Sequence, residues 1–356
     1  MKTALRQAAT RQLRSRLCRN NRPYLKTPYS GQHPRRRFLS LAVGAAALPA
    51  VSRLANAQTY PSRPITMIVP AAAGSNVDVV GRILAERMKR SLGQPIIIEN
   101  IGGADGSIGT GRAARARPDG YTIDLGFLGS NVLNGTFYSL PYDVLNDFAP
   151  ISPLVTFPQV LLARKTMPAK NVNELIAGLK ANPNQASAGV TSVSARLIAA
   201  LFQKETGVHF ALVPYRGNAP ARQDLMAGQI ELLIDTLESL PLIRAGSVRA
   251  YAVTSEERLS AAPDIPTLAE MGLPAASWTN WYALFAPKGT PSDIIGKLNS
   301  AAAEALADAT VRSRLLDFGY AIFPRQQQTP EALRVLQKAD AEKWWPVIKQ
   351  LGIKAE

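Results

Sequence analysis

The chain has 356 residues, 46% of them apolar, which is enough for about two globular domains. A formal charge of +15 points to nucleic acid or an anionic membrane, but its distribution removes that reading. Twelve of the 41 Lys and Arg, and none of the 26 Asp and Glu, lie in residues 1–57, so the rest carries 29 basic against 26 acidic residues.

Residues 1–57 read as an export leader. Arg35-Arg36-Arg37-Phe38-Leu39-Ser40 fits the twin-arginine pattern, the apolar stretch Leu41 to Leu48 follows, and Ala55-Asn56-Ala57 offers the small residues a signal peptidase reads. Cleavage is expected after Ala57, with the mature protein in the periplasm. A membrane anchor fits less well: the run is shorter than the roughly 20 residues that span a bilayer, and Pro49 and Arg53 interrupt it. Cys18 and His33 leave with the leader. The mature chain then has no thiol for a disulfide, nucleophile or metal site, and its sole histidine is His209.

After the leader, strand-like and helix-like segments alternate. Ile65 to Val69 is a short apolar run ending at Pro70, predicted as a buried strand. Ala71 to Asn76 is a small-residue loop. Val80, Ile83, Leu84, Met88 and Leu92 recur at helical spacing, with Gly93 as the C-cap. Strands are predicted at 95–99 and 121–125, on either side of the Gly-rich stretch Gly102 to Gly111. Leu175, Ile176 and Leu179 mark a helix. Ser187 to Ser194 reads as a polar loop before a helix carrying Leu197, Ile198, Leu201 and Phe202 and closed by Gly207. Further strands are predicted at 210–213, 230–234 and 249–253. The C-terminal part reads as helices around Ile294–Leu298, Val311–Phe318 and Glu331–Lys349, the last started by Pro330. This alternation predicts α/β architecture with parallel sheets covered on both faces.

The strand-to-helix loop Pro70-Ala71-Ala72-Ala73-Gly74-Ser75-Asn76-Val77-Asp78 is the first candidate site. Small residues let backbone approach a ligand, and the following helix aims free N–H groups and a positive dipole end at it. The competing reading is an ordinary N-cap by Ser75 or Asn76. The Gly102–Gly111 stretch lacks both the Walker lysine and G-x-G-x-x-G spacing, so a tight turn feeding a helix is the better reading. Polar loops at Gly129-Ser130-Asn131, Thr191-Ser192-Val193-Ser194 and Asp235-Thr236 sit at predicted strand ends, where doubly wound folds bind ligands. No nucleophile elbow, zinc motif or Cys/His cluster appears, His209 reads as structural, and Trp344-Trp345 read as packing.

Taken together, these residues resemble the solute receptors of tripartite tricarboxylate transporters, the Bug proteins. The signatures occur in family order: Tyr60-Pro61-Ser62-Arg63-Pro64-Ile65, Glu99-Asn100, Pro118-Asp119-Gly120-Tyr121-Thr122, Leu140-Pro141-Tyr142-Asp143, Val213-Pro214-Tyr215-Arg216-Gly217-Asn218, Pro263-Asp264-Ile265-Pro266-Thr267 and Ala286-Pro287-Lys288-Gly289. The resemblance implies a two-domain periplasmic-binding fold of type II character with two chain crossings and a ligand cleft that closes by hinge motion. Domain 1 would take residues 58–158 plus 283–356, and domain 2 residues 159–282. It implies a non-enzymatic receptor without a cofactor. That receptor, a soluble monomer once mature, would hand a small organic carboxylate to membrane transporter subunits and bind no nucleic acid. The implied ligand-binding residues are Gly74, Ser75, Asn76, Asp78, Ser130, Asn131, Thr191, Ser192 and Asp235.

The chain departs from the family pattern in places. Ala71 stands at an aromatic position, Ser75 at a Gly, Asn76-Val77 at Ser-Thr, Asp105 at a Gly, and Arg196 at a His. Ala71 is expected to enlarge the pocket toward bulkier or aromatic carboxylates, and Asn76 to add a side-chain donor. Two other functions stay open: a sensor subunit presenting the same ligand to a signalling partner, and an exported hydrolase.

Overall fold

The computed structural model describes residues 60–353, so the expected twin-arginine leader lies outside the described residues. Eleven strands and ten α-helices follow in order among them. The first run is β1 (Ile65–Val69), α1 (Asn76–Leu92), β2 (Ile96–Asn100), α2 (Ser107–Ala114), β3 (Thr122–Phe127), α3 (Asn134–Phe137) and β4 (Phe148–Phe157). The second run is β5 (Gln159–Arg164), α4 (Val172–Ala181), β6 (Ser187–Val190), α5 (Val193–Thr206), β7 (Ala211–Pro214), α6 (Asn218–Ala227), β8 (Leu232–Thr236), α7 (Leu240–Arg244) and β9 (Val248–Val253). The chain ends with β10 (Asn280–Pro287), α8 (Ser292–Ala307), α9 (Ala309–Asp317), β11 (Ala321–Ile322) and α10 (Pro330–Leu351).

Two sheets result. The first runs β11-β4-β10-β3-β1-β2 and the second β7-β6-β8-β5-β9. On one face of the first sheet, Met67, Val69, Ile123, Leu125 and Leu284 bury against Leu84 and Met88 of α1 and Leu298 of α8. On the other face Ile68 and Phe285 join Leu333, Trp344 and Ile348 of α10. Trp344 and Trp345 are packing residues: Trp344 lies 4.6 Å from Trp278, and Trp345 Nε1 donates to Val132 O at 3.0 Å.

The expectation of parallel sheets is corrected. β10 runs antiparallel to β3 and β4, and β5 runs antiparallel to β8 and β9, so both sheets are mixed. The antiparallel strands are the ones that carry the chain between sheets, and β4 and β5 are separated only by Pro158. The polar-loop reading of 187–194 is also corrected, because its first four residues form β6. A Cβ on Gly189 would stand 2.8 Å from Ile230 and 3.0 Å from Leu233, so small residues are required there and the apolar alternation that marks a strand is missing.

The chain passes between the sheets twice, at Phe157–Gln159 and at Trp278–Asn280, the second just ahead of the boundary expected at 283. One buried threonine ties the crossings together. Thr254 Oγ1 accepts from Gln159 N at 2.9 Å and donates to Trp278 O at 2.8 Å, while Trp278 N donates to Thr254 O at 2.6 Å.

Candidate ligand-binding cleft

In the first sheet β1 and β3 end at the loops around Gly74 and Gly129. In the second sheet β6 and β8 end at Thr191 and Thr236. These four strand ends meet. A Cβ on Gly129 would lie 3.1 Å from Val193 Cγ2, the first residue of α5. Asn76 Nδ2 donates to Thr236 Oγ1 at 3.0 Å across the two sheets. The cleft is therefore bounded by the N-terminal ends of α1 and α5 at the carboxyl ends of parallel strands.

The two helix ends differ. Ser192 caps α5, its hydroxyl accepting from Ala195 N at 3.2 Å. At α1, Ser75 occupies the N-cap position with extended backbone but makes no capping bond, and its buried Oγ has no hydrogen-bond partner. Asn76 is turned to Thr236 instead of the helix. Val79 N is the first amide to reach back, to Ser75 O at 3.0 Å, so the preceding first-turn amides have no acceptor within the helix. A carboxylate placed there gains roughly 0.3–1 kcal/mol from the helix dipole, and up to ~2 kcal/mol when partly buried.

Asp78 serves this loop from behind. Its buried carboxylate accepts from Gly74 N at 2.8 Å, Arg82 Nε at 2.9 Å and Asn100 Nδ2 at 2.9 Å. Burial works against the charge. The hydrogen bonds from Arg82, Gly74 and Asn100 and the Arg82 charge outweigh it and hold the carboxyl below the ordinary carboxylate range. Gly74 has φ +78°, a left-handed conformation that costs a residue with a side chain, so the turn presenting α1 depends on it. Asn100 Nδ2 also reaches Ala71 O at 3.3 Å.

On the facing sheet, Asp235 is fully buried and accepts from Arg222 Nε at 2.6 Å, Arg222 Nη2 at 3.1 Å, Asn218 Nδ2 and Thr236 N at 2.7 Å. Arg222 extends the network to Glu238 Oε2 at 3.3 Å and Thr236 Oγ1 at 3.3 Å. Burial raises the Glu238 carboxyl, with the Arg222 charge opposing. This network fixes Thr236, the residue Asn76 grips.

The nine expected site residues thus fall into three groups. Gly74, Ser75, Asn76, Thr191 and Ser192 lie at the strand and helix ends that bound the cleft. Asp78 and Asp235 stand one layer back and hold the two loops. Ser130 and Asn131 are fully buried within the first sheet's side: Ser130 Oγ meets Asn131 Oδ1 at 2.5 Å, and Asn131 Nδ2 donates to Asp124 Oδ2 at 3.1 Å. Arg222, Glu238 and Asn100 were missed by sequence reasoning. Arg222 was findable, since it follows Asn218 by four residues and so shares its helix face.

A family model described as the tripartite tricarboxylate transporter family receptor matches residues 80–353. Among solved structures, the chain is similar to periplasmic binding protein BugD at 36% identity and TM-score 0.77, covering 83% of this chain and 100% of that one. It is similar to MatC of Rhodopseudomonas palustris with bound malate at 35% identity and TM-score 0.76, covering 81% and 100%. It is also similar to R. palustris Rpa4515 with adipate at 32% identity and TM-score 0.77, covering 83% and 99%.

Proposed function

This chain belongs to the tripartite tricarboxylate transporter receptor family, and from the geometry of its cleft we propose that it captures a small organic carboxylate in the periplasm and delivers it to a membrane transporter. The observation that carries the reading is the uncapped N-terminus of α1, with a buried, unpartnered Ser75 hydroxyl beside it, facing the other sheet across Asn76 and Thr236. One ligand carboxylate is held by the first-turn amides of α1 and by Ser75 Oγ. Thr191 and the front of α5 approach from the other side. Asp78 and Asp235 act through the backbone they hold. Ser130 and Asn131 contribute by shaping the end of β3.

Malate and adipate in two homologous structures support the carboxylate class. The periplasmic relative BugD and the expected leader support the location, and no helix among the described residues is long and apolar enough to cross a membrane. Binding and release need no bond-making step, in keeping with a receptor family. Ala71 leaves room for a bulkier acid than an aromatic residue there would.

The test is a thermal-shift and calorimetric panel on the mature protein, with malate, adipate, benzoate and phthalate beside neutral and cationic solutes. At least one acid is expected to raise the melting temperature and release heat. If none does while a neutral or cationic solute binds, the reading is overturned. Radiolabelled uptake in cells with and without the receptor gene tests delivery to a transporter.

A further inference from the structure

The first sheet carries a separate cavity of about 320 Å³ at the end where β1 and β3 begin, opposite the cleft. Thr66 and Ile68 of β1 and Thr122 of β3 form its floor, Glu99 of β2 stands at its side, and Arg112, Arg115 and Ala116 at the end of α2 close over it. From Thr122, β3 runs to Phe127 before it meets the cleft, roughly 17 Å further on.

The donors in this cavity are open to solvent and come from two sides. Thr66 and Thr122 are register partners on adjacent strands, so their hydroxyls lie next to each other on one face of the sheet. Both residues are half-buried, and neither hydroxyl is sealed from solvent or hydrogen-bonded among the described residues. Arg112 and Arg115 are exposed and three residues apart, so they share the end of α2 that faces this floor. Arg112 Nη1 pairs with Glu99 Oε1 at 2.7 Å. Arg115 makes no ion pair or hydrogen bond among the described residues.

The charges around the cavity favour an anion. Two guanidiniums against the Glu99 carboxylate leave one positive charge in the lining. The carbonyl end of α2 opposes an anion with about half a charge, which does not reverse the sign. Next along the chain, Arg117 and Arg63 share the single carboxylate of Asp119, at 4.0 and 3.3 Å. Asp124, the next residue inward on this face, is sealed from solvent, and burial lets it keep its proton up to about pH 7. A planar carboxylate takes its hydrogen bonds close to one plane, whereas hydroxyls below and guanidiniums above suit oxygens that point in several directions. We propose that this cavity is a second binding site, for a small tetrahedral oxyanion of the sulfate or phosphate class, held between Arg115 and Arg112 on α2 and the hydroxyls of Thr66 and Thr122. The site is independent of the ligand cleft at the other end of the sheet.

Sodium sulfate is the probe, titrated at pH 6 and constant ionic strength into mature protein carrying labelled isoleucine methyls and amides. Sulfate is expected to shift the Ile68 methyl and Ala116 amide resonances saturably, and acetate at least tenfold more weakly. Arg115→Gln should weaken sulfate at least tenfold. Glu99→Gln raises the lining by one positive charge and should strengthen sulfate at least threefold, a gain that a damaged fold would not produce. The wild-type comparison stands even if a variant fails to fold. No saturable shift with sulfate, an equal response to acetate, unchanged affinity in folded Arg115→Gln, or affinity that fails to rise in folded Glu99→Gln each overturns the proposal.

Discussion

Asp124 is a carboxylate at 0% exposure in the middle of a six-stranded sheet. Its Oδ2 accepts from Asn131, while Oδ1 has no hydrogen-bond partner. Burial pushes the carboxyl up to about 7, and the Asn131 bond offsets only part of that. Because the folded-state value stands above the unfolded reference of ~3.9, the folded protein holds this proton longer than the unfolded chain does. Stability from this group is therefore intact below about pH 4 and falls as pH rises toward about 7. A displacement of that size is worth of the order of 4 kcal/mol. Asp124→Asn keeps the shape and removes the charge. In urea unfolding it should exceed wild type by about 2–4 kcal/mol at pH 8 and match it at pH 4. Equal pH slopes for the two proteins would sink the assignment. Asp78 behaves in the opposite way, since its partners favour the charged form. Asp78→Ala frees Gly74 N and Arg82 and should weaken acid binding by roughly tenfold or more through the loop it holds. Calorimetry with the best acid of the panel reads this directly, and unchanged affinity would remove Asp78 from the site.

At the scale of elements, what was legible in the sequence followed the strength of local signals. Helix α1 was readable because its apolar residues keep helical spacing and Gly93 closes it in the left-handed conformation, φ +67°. The same holds for α5 with Gly207 and for α10 with Pro330 in its first turn. β6 was hidden because Gly189 has to leave room for Ile230 and Leu233 and Ser187 is polar, bonding Glu231, so the strand lacks apolar alternation. Strand direction was hidden as well, since pairing partners are set by the crossings far along the chain. The site was half legible. The loop before α1 shows itself as small residues ahead of a helix, but nothing local says that Ser75 leaves the helix uncapped or that Asn76 reaches across to residue 236. The crossings make an element-level prediction of their own. Thr254→Val removes both hydroxyl bonds and leaves Gln159 N and Trp278 O, in buried surroundings, short of a partner. The expected cost is about 1–3 kcal/mol in urea unfolding, with a broader distribution of lobe separations by double electron–electron resonance. A variant as stable and as narrowly distributed as wild type would show that the hydroxyl does not tie the crossings.

For the whole molecule, a ligand can close two lobes only to the extent that it binds the closed arrangement better than the open one. The side-chain bond of Asn76 to Thr236 exists only when the sheets face each other, and it sits beside the amides proposed to hold the carboxylate. In the proposed function, closure and capture are thereby coupled through one residue, whose backbone lies at the proposed anion site and whose side chain bonds Thr236. A neutral hydrogen bond contributes a net 0.5–1.5 kcal/mol, so Asn76→Ala should weaken acid binding about 2- to 12-fold, mainly through faster release. Thr236→Val removes the same bond and also the contact with Arg222 Nη2 at 3.3 Å, so its effect should be at least as large. Since both substitutions break one interaction, the double variant should fall well short of the product of the singles. Affinity by calorimetry and compaction by small-angle scattering measure the two halves of this coupling. Strict additivity in the cycle, or full ligand-induced compaction in the double variant, would mean that the lobes close without this clasp.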